Sequence, residues 1–166
     1  TVSRLKQIKP RVIIGGNISK STASTNDQAA LDYEKSFAQL YDFVDYFVVN
    51  VSCPNVKGLT KLQDITSLSE IVDRLTLLRK YYDDYRPILL KVSPDLSEEQ
   101  LDEIIELILV SGLDGIVATN TTITRDNLIT ERAKVEVIGE GGLSGAPIFN
   151  RSLEMVRYIS KKTGGQ

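Results

Sequence analysis

The chain has 166 residues, with 20 Lys plus Arg against 22 Asp plus Glu, one Cys, one Met, no Trp and no His. The missing His excludes a Ser-His-Asp triad, a Cys-His pair and His-ligated zinc, and the single Cys excludes internal disulfides, CxxC redox pairs and thiolate-held clusters. A formal net charge of −2 with both signs interspersed provides no basic stripe for nucleic acid, and 42% hydrophobic residues in a chain of this length suit one soluble globular domain.

Four short apolar runs, rich in β-branched and aromatic residues, read as strands: 11–17, 46–51, 87–92 and 114–120. Their inner residues barely alternate, the pattern of parallel strands covered on both faces. Helix-like stretches lie between them. The stretch 27–43 carries Ala30, Tyr33, Phe37, Leu40 and Tyr41 on one face, and 67–81 carries Leu68, Ile71, Val72, Leu75 and Leu78. A third helix opens on Ser97 and Gln100 at capping-box spacing and continues through Leu101, Ile104, Ile105 and Ile108. A fourth, over about 151–161, presents Leu153, Val156 and Ile159. From Asn17 to Asn50 is 33 residues, on to Lys91 is 41 and on to Asn120 is 29, a rhythm of repeated strand–helix units in an α/β fold. The N-terminal residues lack the apolar core of a signal peptide and do not begin with Met, no apolar run approaches the about 18–20 residues that span a bilayer, and both ends look cut.

Each strand ends in polar residues: Asn17; Asn50 with Ser52 and Cys53; Lys91 with Ser93; and Thr119-Asn120-Thr121-Thr122. In a parallel α/β sheet or barrel, functional residues gather where strands end. Three amides and one cation make a rim suited to a planar, polar, partly anionic ligand. Taken singly, Asn and Thr also cap helices and make turns.

Within 50–55, Pro54 stops the strand and puts Cys53 on a loop above the strand ends. A thiol there is a small buried hydrophobe, a nucleophile or, with no His partner, a general base, and spacing does not decide among these. Lys91 closes an apolar strand, so its ammonium either reaches solvent or meets an anion in the site. The run Gly141-Gly142-Leu143-Ser144-Gly145 is either a flexible connector or a loop whose backbone N–H groups approach a phosphate or a flavin ring.

Together, Ile14-Gly15-Gly16-Asn17, the run 45–55, the run 88–96, Thr119-Asn120-Thr121-Thr122 and the run 141–147 closely resemble the dihydroorotate dehydrogenase family, in the family's order over nearly the whole chain. The pieces are similar above all to the class 2, quinone-dependent branch. Class 2 members commonly carry Ser where this chain has Cys53, whereas Cys there is usual in class 1.

The resemblance implies a (β/α)8 TIM barrel, of which the chain supplies about four strand–helix units, apparently the third to the sixth. Residues 1–166 are then the central part of a single FMN-binding domain in a longer chain. Quinone-binding helices and two strands would precede it, and two strands gripping the flavin phosphate would follow. The implied reaction is oxidation of dihydroorotate to orotate in pyrimidine (UMP) biosynthesis, with FMN as cofactor and a quinone as electron acceptor. Cys53 is the implied base, and Lys91 is the cation beside the flavin. Asn17, Asn50, Thr119, Ser144 and Gly145 are implied flavin contacts; Asn50, Asn55, Asn120 and Thr121 are implied substrate contacts.

The implied parent sits on a membrane surface, at the cytoplasmic face in a bacterium or the mitochondrial inner membrane in a eukaryote. No metal and no nucleic acid are implied. A class 1 enzyme using fumarate or NAD is the alternative enzyme, and a non-catalytic scaffold is the alternative of another class. An isolated half barrel is expected to be inactive, to leave some of Ile13, Val48, Leu89 and Val117 facing water, and to self-associate through its open edges or inner face.

Overall fold

Four parallel strands form one sheet in the order β1 (Gly15–Ile18), β2 (Tyr46–Asn50), β3 (Ile88–Val92) and β4 (Gly115–Ala118). The computed structural model describes residues 2–7, 12–51, 65–126 and 128–165. A one-turn helix α1 (Val2–Leu5) precedes the sheet, and α2 (Ala29–Leu40), α3 (Ile65–Arg79) and α4 (Glu98–Ser111) connect its successive strands. After β4 come the short α5 (Arg132–Ile138) and the long α6 (Ala146–Thr163). These are about four strand–helix units of a (β/α)8 TIM barrel.

The helices cover one face of the sheet. Gly16 and Ile18, Phe47 and Val49, and Ile88, Leu90 and Val92 are buried against Tyr33 and Phe37 of α2, Leu68, Ile71, Val72 and Leu75 of α3, and Leu101, Ile104, Ile105 and Ile108 of α4. Alternate residues point the other way. The strands were expected to be covered on both faces, whereas β1 and β3 alternate in burial. In a barrel the second face is closed by the strands opposite, and four units do not reach round to supply them. On that inner face Ile13, just before β1, is 80% exposed, Leu89 and Val117 are half-buried and Val48 is buried.

An aromatic cluster anchors α2 to the sheet. Phe37 packs on Phe47 with ring centres 4.2 Å apart, and Tyr41 stacks on Tyr82 at 3.6 Å. The capping box of α4 forms as the spacing predicts: Gln100 N–H donates to Ser97 Oγ at 3.2 Å, and Ser97 N–H to Gln100 Oε1 at 3.0 Å. The fourth predicted helix begins earlier than residue 151, and its buried residue is Met155, while Val156 is 46% exposed. Ile159 packs against the core as its spacing predicts, and contacts with α4 and β4 turn Met155 inward in place of Val156.

One device recurs at the N-terminal edge of the sheet. Asp45, just before β2, donates its N–H to Ile14 O at 2.8 Å and accepts Ile14 N–H on its carboxylate at 2.7 Å. Asp114, just before β4, does the same with Ile88, at 2.9 and 2.8 Å. Each aspartate locks the register of the strand it precedes. Asp114 also accepts from Arg79 Nη1 at 2.6 Å and from the Tyr85 hydroxyl.

Burial pushes the Asp114 carboxyl up, but hydrogen bonds from Tyr85, Ile88 N–H and Arg79 outweigh it and hold the group below the usual aspartate range. A carboxyl depressed in the folded state stabilises the protein above its unfolded pKa of about 3.9 and loses that contribution as pH falls through the folded value. Asp114→Asn should therefore cost about 1–3 kcal/mol at pH 7 in urea unfolding. The gap from the parent should narrow below pH about 4, and a gap that stays constant down to pH 2 would contradict this.

Candidate active site at the strand ends

Register places the polar residues in layers on the inner face. Asn17 stands opposite Val48, which stands opposite Leu89, and Leu89 pairs with Gly115. Further toward the C-terminal ends, Asn50 is opposite Lys91 and Lys91 opposite Val117. Asn50 and Lys91 thus form one polar layer above a floor containing Val48 and Leu89. Asn17 lies one layer lower, beside Val48, so the rim expected from sequence is stepped. Beneath it, a Cβ at Gly15 would lie 2.4 Å from the Tyr46 ring, so any larger residue there would displace that ring.

Asn120, two residues past β4, joins the upper layer. Its N–H donates to Val92 O at 2.9 Å, its Nδ2 donates to Asn50 Oδ1 at 3.2 Å, and its Oδ1 accepts Thr121 N–H at 2.9 Å. The amide is held from both ends, which fixes its orientation. The main chain behind Asn50 is held as well: Tyr33, fully buried on α2, donates its hydroxyl to Asn50 O at 2.7 Å.

Thr119 lies between Asn120 and α6, with its Oγ1 2.9 Å from Ser152 Oγ and 3.0 Å from Asn120 O. Ser144 and Gly145 are exposed and enter through a bridge between Thr122 and Leu143. Gly145 has φ +86°, in the left-handed region that favours glycine, and it leads directly into α6. The fold therefore brings Asn50, Lys91 and Asn120 together, with Ser144 and Gly145 approaching on the adjacent loop. Cys53 and Asn55 lie outside the described residues.

Several residues that build the site were not singled out in the sequence. Lys20, 4% exposed in the loop after β1, donates to Ser21 O at 3.1 Å and Ser24 O at 2.5 Å. Asp32 accepts Ser21 N–H at 2.9 Å, and its carboxyl is lowered first by the Ser24 hydroxyl. Together they fold the loop that follows Asn17. Tyr33 was read only as an apolar position of α2, and an apolar period carries no sign that a phenol will reach a strand-end carbonyl.

Parallel strand–helix units with amides and a lysine collected at the C-terminal ends of the strands define a barrel of the ligand-binding α/β type. The chain belongs to the dihydroorotate dehydrogenase family, whose model matches residues 2–166. It is 47% identical over 163 residues to a dihydroorotate dehydrogenase (quinone) of Christiangramia forsetii, covering 98% of this chain and 46% of that protein. A dihydroorotate dehydrogenase (quinone) of Corynebacterium efficiens is 42% identical over 162 residues, 98% of this chain and 42% of that protein. The chain thus spans a little under half the length of these curated relatives. Among solved structures, ligand-free DHODH from Eimeria tenella superposes with a TM-score of 0.88 at 29% identity, covering 99% of this chain and 51% of that one.

Removing the fully buried Tyr33 hydroxyl leaves the Asn50 carbonyl without that donor. Tyr33→Phe should cost about 1–3 kcal/mol in denaturant unfolding, more than the loss of an exposed hydroxyl. A change under about 0.5 kcal/mol would mean that the bond does not anchor the strand end.

Proposed function

We propose that the protein to which this chain belongs oxidises dihydroorotate to orotate in pyrimidine (UMP) biosynthesis, using FMN and a quinone as final electron acceptor. The single observation that carries this reading is the Asn50–Lys91–Asn120 layer on the helix-free face, in a chain of this family. The donor set fits a flavin: uncharged amides and one ammonium stand above the apolar side chains Val48 and Leu89, matching a flat ring with apolar faces and a polar edge. Asn17, Asn50, Lys91, Thr119, Ser144 and Gly145 would hold it. When bound, FMN supplies the acceptor for the hydride that leaves C6 of the substrate.

The chain's own residues do the rest. Asn50, Asn55, Asn120 and Thr121 hold the pyrimidine ring and its carboxylate. The Cys53 thiolate takes the C5 proton as the C6 hydride departs, and the C5–C6 bond becomes double. A thiol of ordinary pKa about 8.5 is far easier to deprotonate than a hydroxyl, so Cys53 suits the task without a His partner. Lys91 places positive charge where negative charge develops on the acceptor.

Relatives named as quinone enzymes support quinone over fumarate or NAD as acceptor. Among the described residues no helix is long and apolar enough to cross a membrane, so a quinone-using parent would reach the membrane surface through other parts. Coverage of about half of each relative supports reading residues 1–166 as the central part of one FMN-binding barrel domain. β1 and β4 are the edges of the sheet, so the chain alone would self-associate and bind FMN poorly.

The test uses the flavin-loaded protein under anaerobic conditions. Dihydroorotate should bleach the flavin, and Cys53→Ala should slow bleaching by about 10²–10⁴-fold while flavin content is retained. Cys53→Ser should keep activity that moves to higher pH, because a hydroxyl resists deprotonation more than a thiol. A protein that takes up no FMN, or a Cys53→Ala variant that bleaches at the parental rate, would overturn this assignment.

A further inference from the structure

The loops that carry the candidate substrate and flavin residues close into one circuit through Asp95. Asp95 lies in the turn after β3 and its carboxylate is shared between two donors of the next loop: one oxygen accepts the Thr122 hydroxyl, the other Ile123 N–H at 3.1 Å. Thr122 is 3% exposed, and its backbone exchanges two hydrogen bonds with Leu143, at 3.0 and 2.8 Å. The loop after β4 is thereby locked to the loop bearing Ser144 and Gly145. That loop runs into α6, from which Arg151 turns back: its Nε donates to Pro94 O at 3.0 Å and its Nη2 to Leu96 O at 2.8 Å. Those carbonyls flank Asp95, and Ser93 Oγ accepts Asp95 N–H at 3.1 Å.

Asp95 is itself exposed, and an exposed carboxylate adds little to global stability. Its geometric reach is larger. Asn120 and Thr121 immediately precede Thr122, and Ser144 immediately follows Leu143, so the two hydrogen bonds to Asp95 set where these side chains stand. Displacing groups that hold substrate equally before and during the reaction weakens binding and leaves the chemical step nearly unchanged. The geometry points to Asp95 as a positioning residue for Asn120 and Thr121, with Arg151 as the brace that holds the Asp95 turn in place. The ligand half of this inference rests on the functional reading above; the circuit itself does not.

Two measurements separate them. In amide hydrogen exchange on the full-length protein that contains this chain, Asp95→Asn and Asp95→Ala should speed exchange at Ile123 and Leu143 by about tenfold and leave the amides of α2 unchanged. In the flavin-loaded protein, Asp95→Ala should weaken orotate binding about tenfold and raise KM for dihydroorotate in proportion, with flavin content retained and kcat within about threefold of the parent. Asp95→Asn should recover part of the loss, because its amide oxygen still accepts one of the two bonds. Thr122→Val should show the same split, and the double variant should be no worse than the poorer single one, as for residues acting through one contact.

If Asp95→Ala does not fold, Asp95→Asn and Thr122→Val decide the same question. Exchange that is indifferent to Asp95 overturns the circuit. Accelerated exchange with orotate affinity and KM within about twofold of the parent overturns the positioning role. A parent protein that binds no orotate overturns the functional reading, while the exchange arm still decides the circuit.

Discussion

Which chemistry the sheet offers depends on the register that sets Asn50 opposite Lys91. Side chains alternate along a strand, so a slip of one residue would turn Lys91 into the helix layer and bring Leu90 to the inner face. The slip is opposed by the side chains it would move out of the core. Phe47, Val49, Ile88, Leu90 and Val92 are fully buried under the helices and have no comparable place on the other face. At the N-terminal edge, Asp45 clasps Ile14, just before β1, and Asp114 clasps Ile88 of β3, each through backbone and carboxylate, which fixes β1 against β2 and β3 against β4 and leaves the β2–β3 pairing to the buried side chains.

The two ends of the sheet have separate tasks. The N-terminal edge is held by charged and aromatic groups that touch no candidate ligand residue: Asp114 with Arg79 and Tyr85, and Tyr41, which donates to Asp84 O at 2.6 Å. The C-terminal edge is held through groups that border the site: Tyr33 behind Asn50, Asn120 between Asn50 and Thr121, and Asp95 beneath Thr122. A change at the first edge acts on stability, whereas a change at the second moves a binding side chain. Enzymes on this barrel divide stability and function between their two faces in the same way.

Segments with strong apolar periodicity were legible in the sequence. The buried faces of α3 and α4 follow the predicted spacing at Leu68, Ile71, Val72 and Leu75 and at Leu101, Ile104, Ile105 and Ile108, and Ser97 and Gln100 announced the start of α4. The polar strand ends were legible as well, because Asn50, Lys91 and Asn120 each close an apolar run. α5 was not, since it buries none of its residues and so leaves no periodic trace. The face of α6 was legible at Ile159, which packs against the core, but not at Val156, because tertiary contacts bury Met155 instead. The aspartate clasps and the Asp95 circuit were invisible for another reason. They join residues as far apart as Pro94 and Arg151 through single polar contacts, and a lone Asp or Arg has no pattern to detect. That Asn17 stands one layer below Asn50 has no sequence signal, because only the pairing of β1 with β2 defines it.

We propose that substrate is oxidised on the helix-free face at the strand ends, where Lys91 acts on the developing negative charge. The most direct measurement is stopped-flow reduction of bound flavin by dihydroorotate in Lys91→Met, run beside an orotate titration of the same sample. Reduction should slow by about a hundredfold or more while orotate affinity stays within about threefold of the parent. Reduction at the parental rate, or a loss confined to orotate affinity, would contradict it.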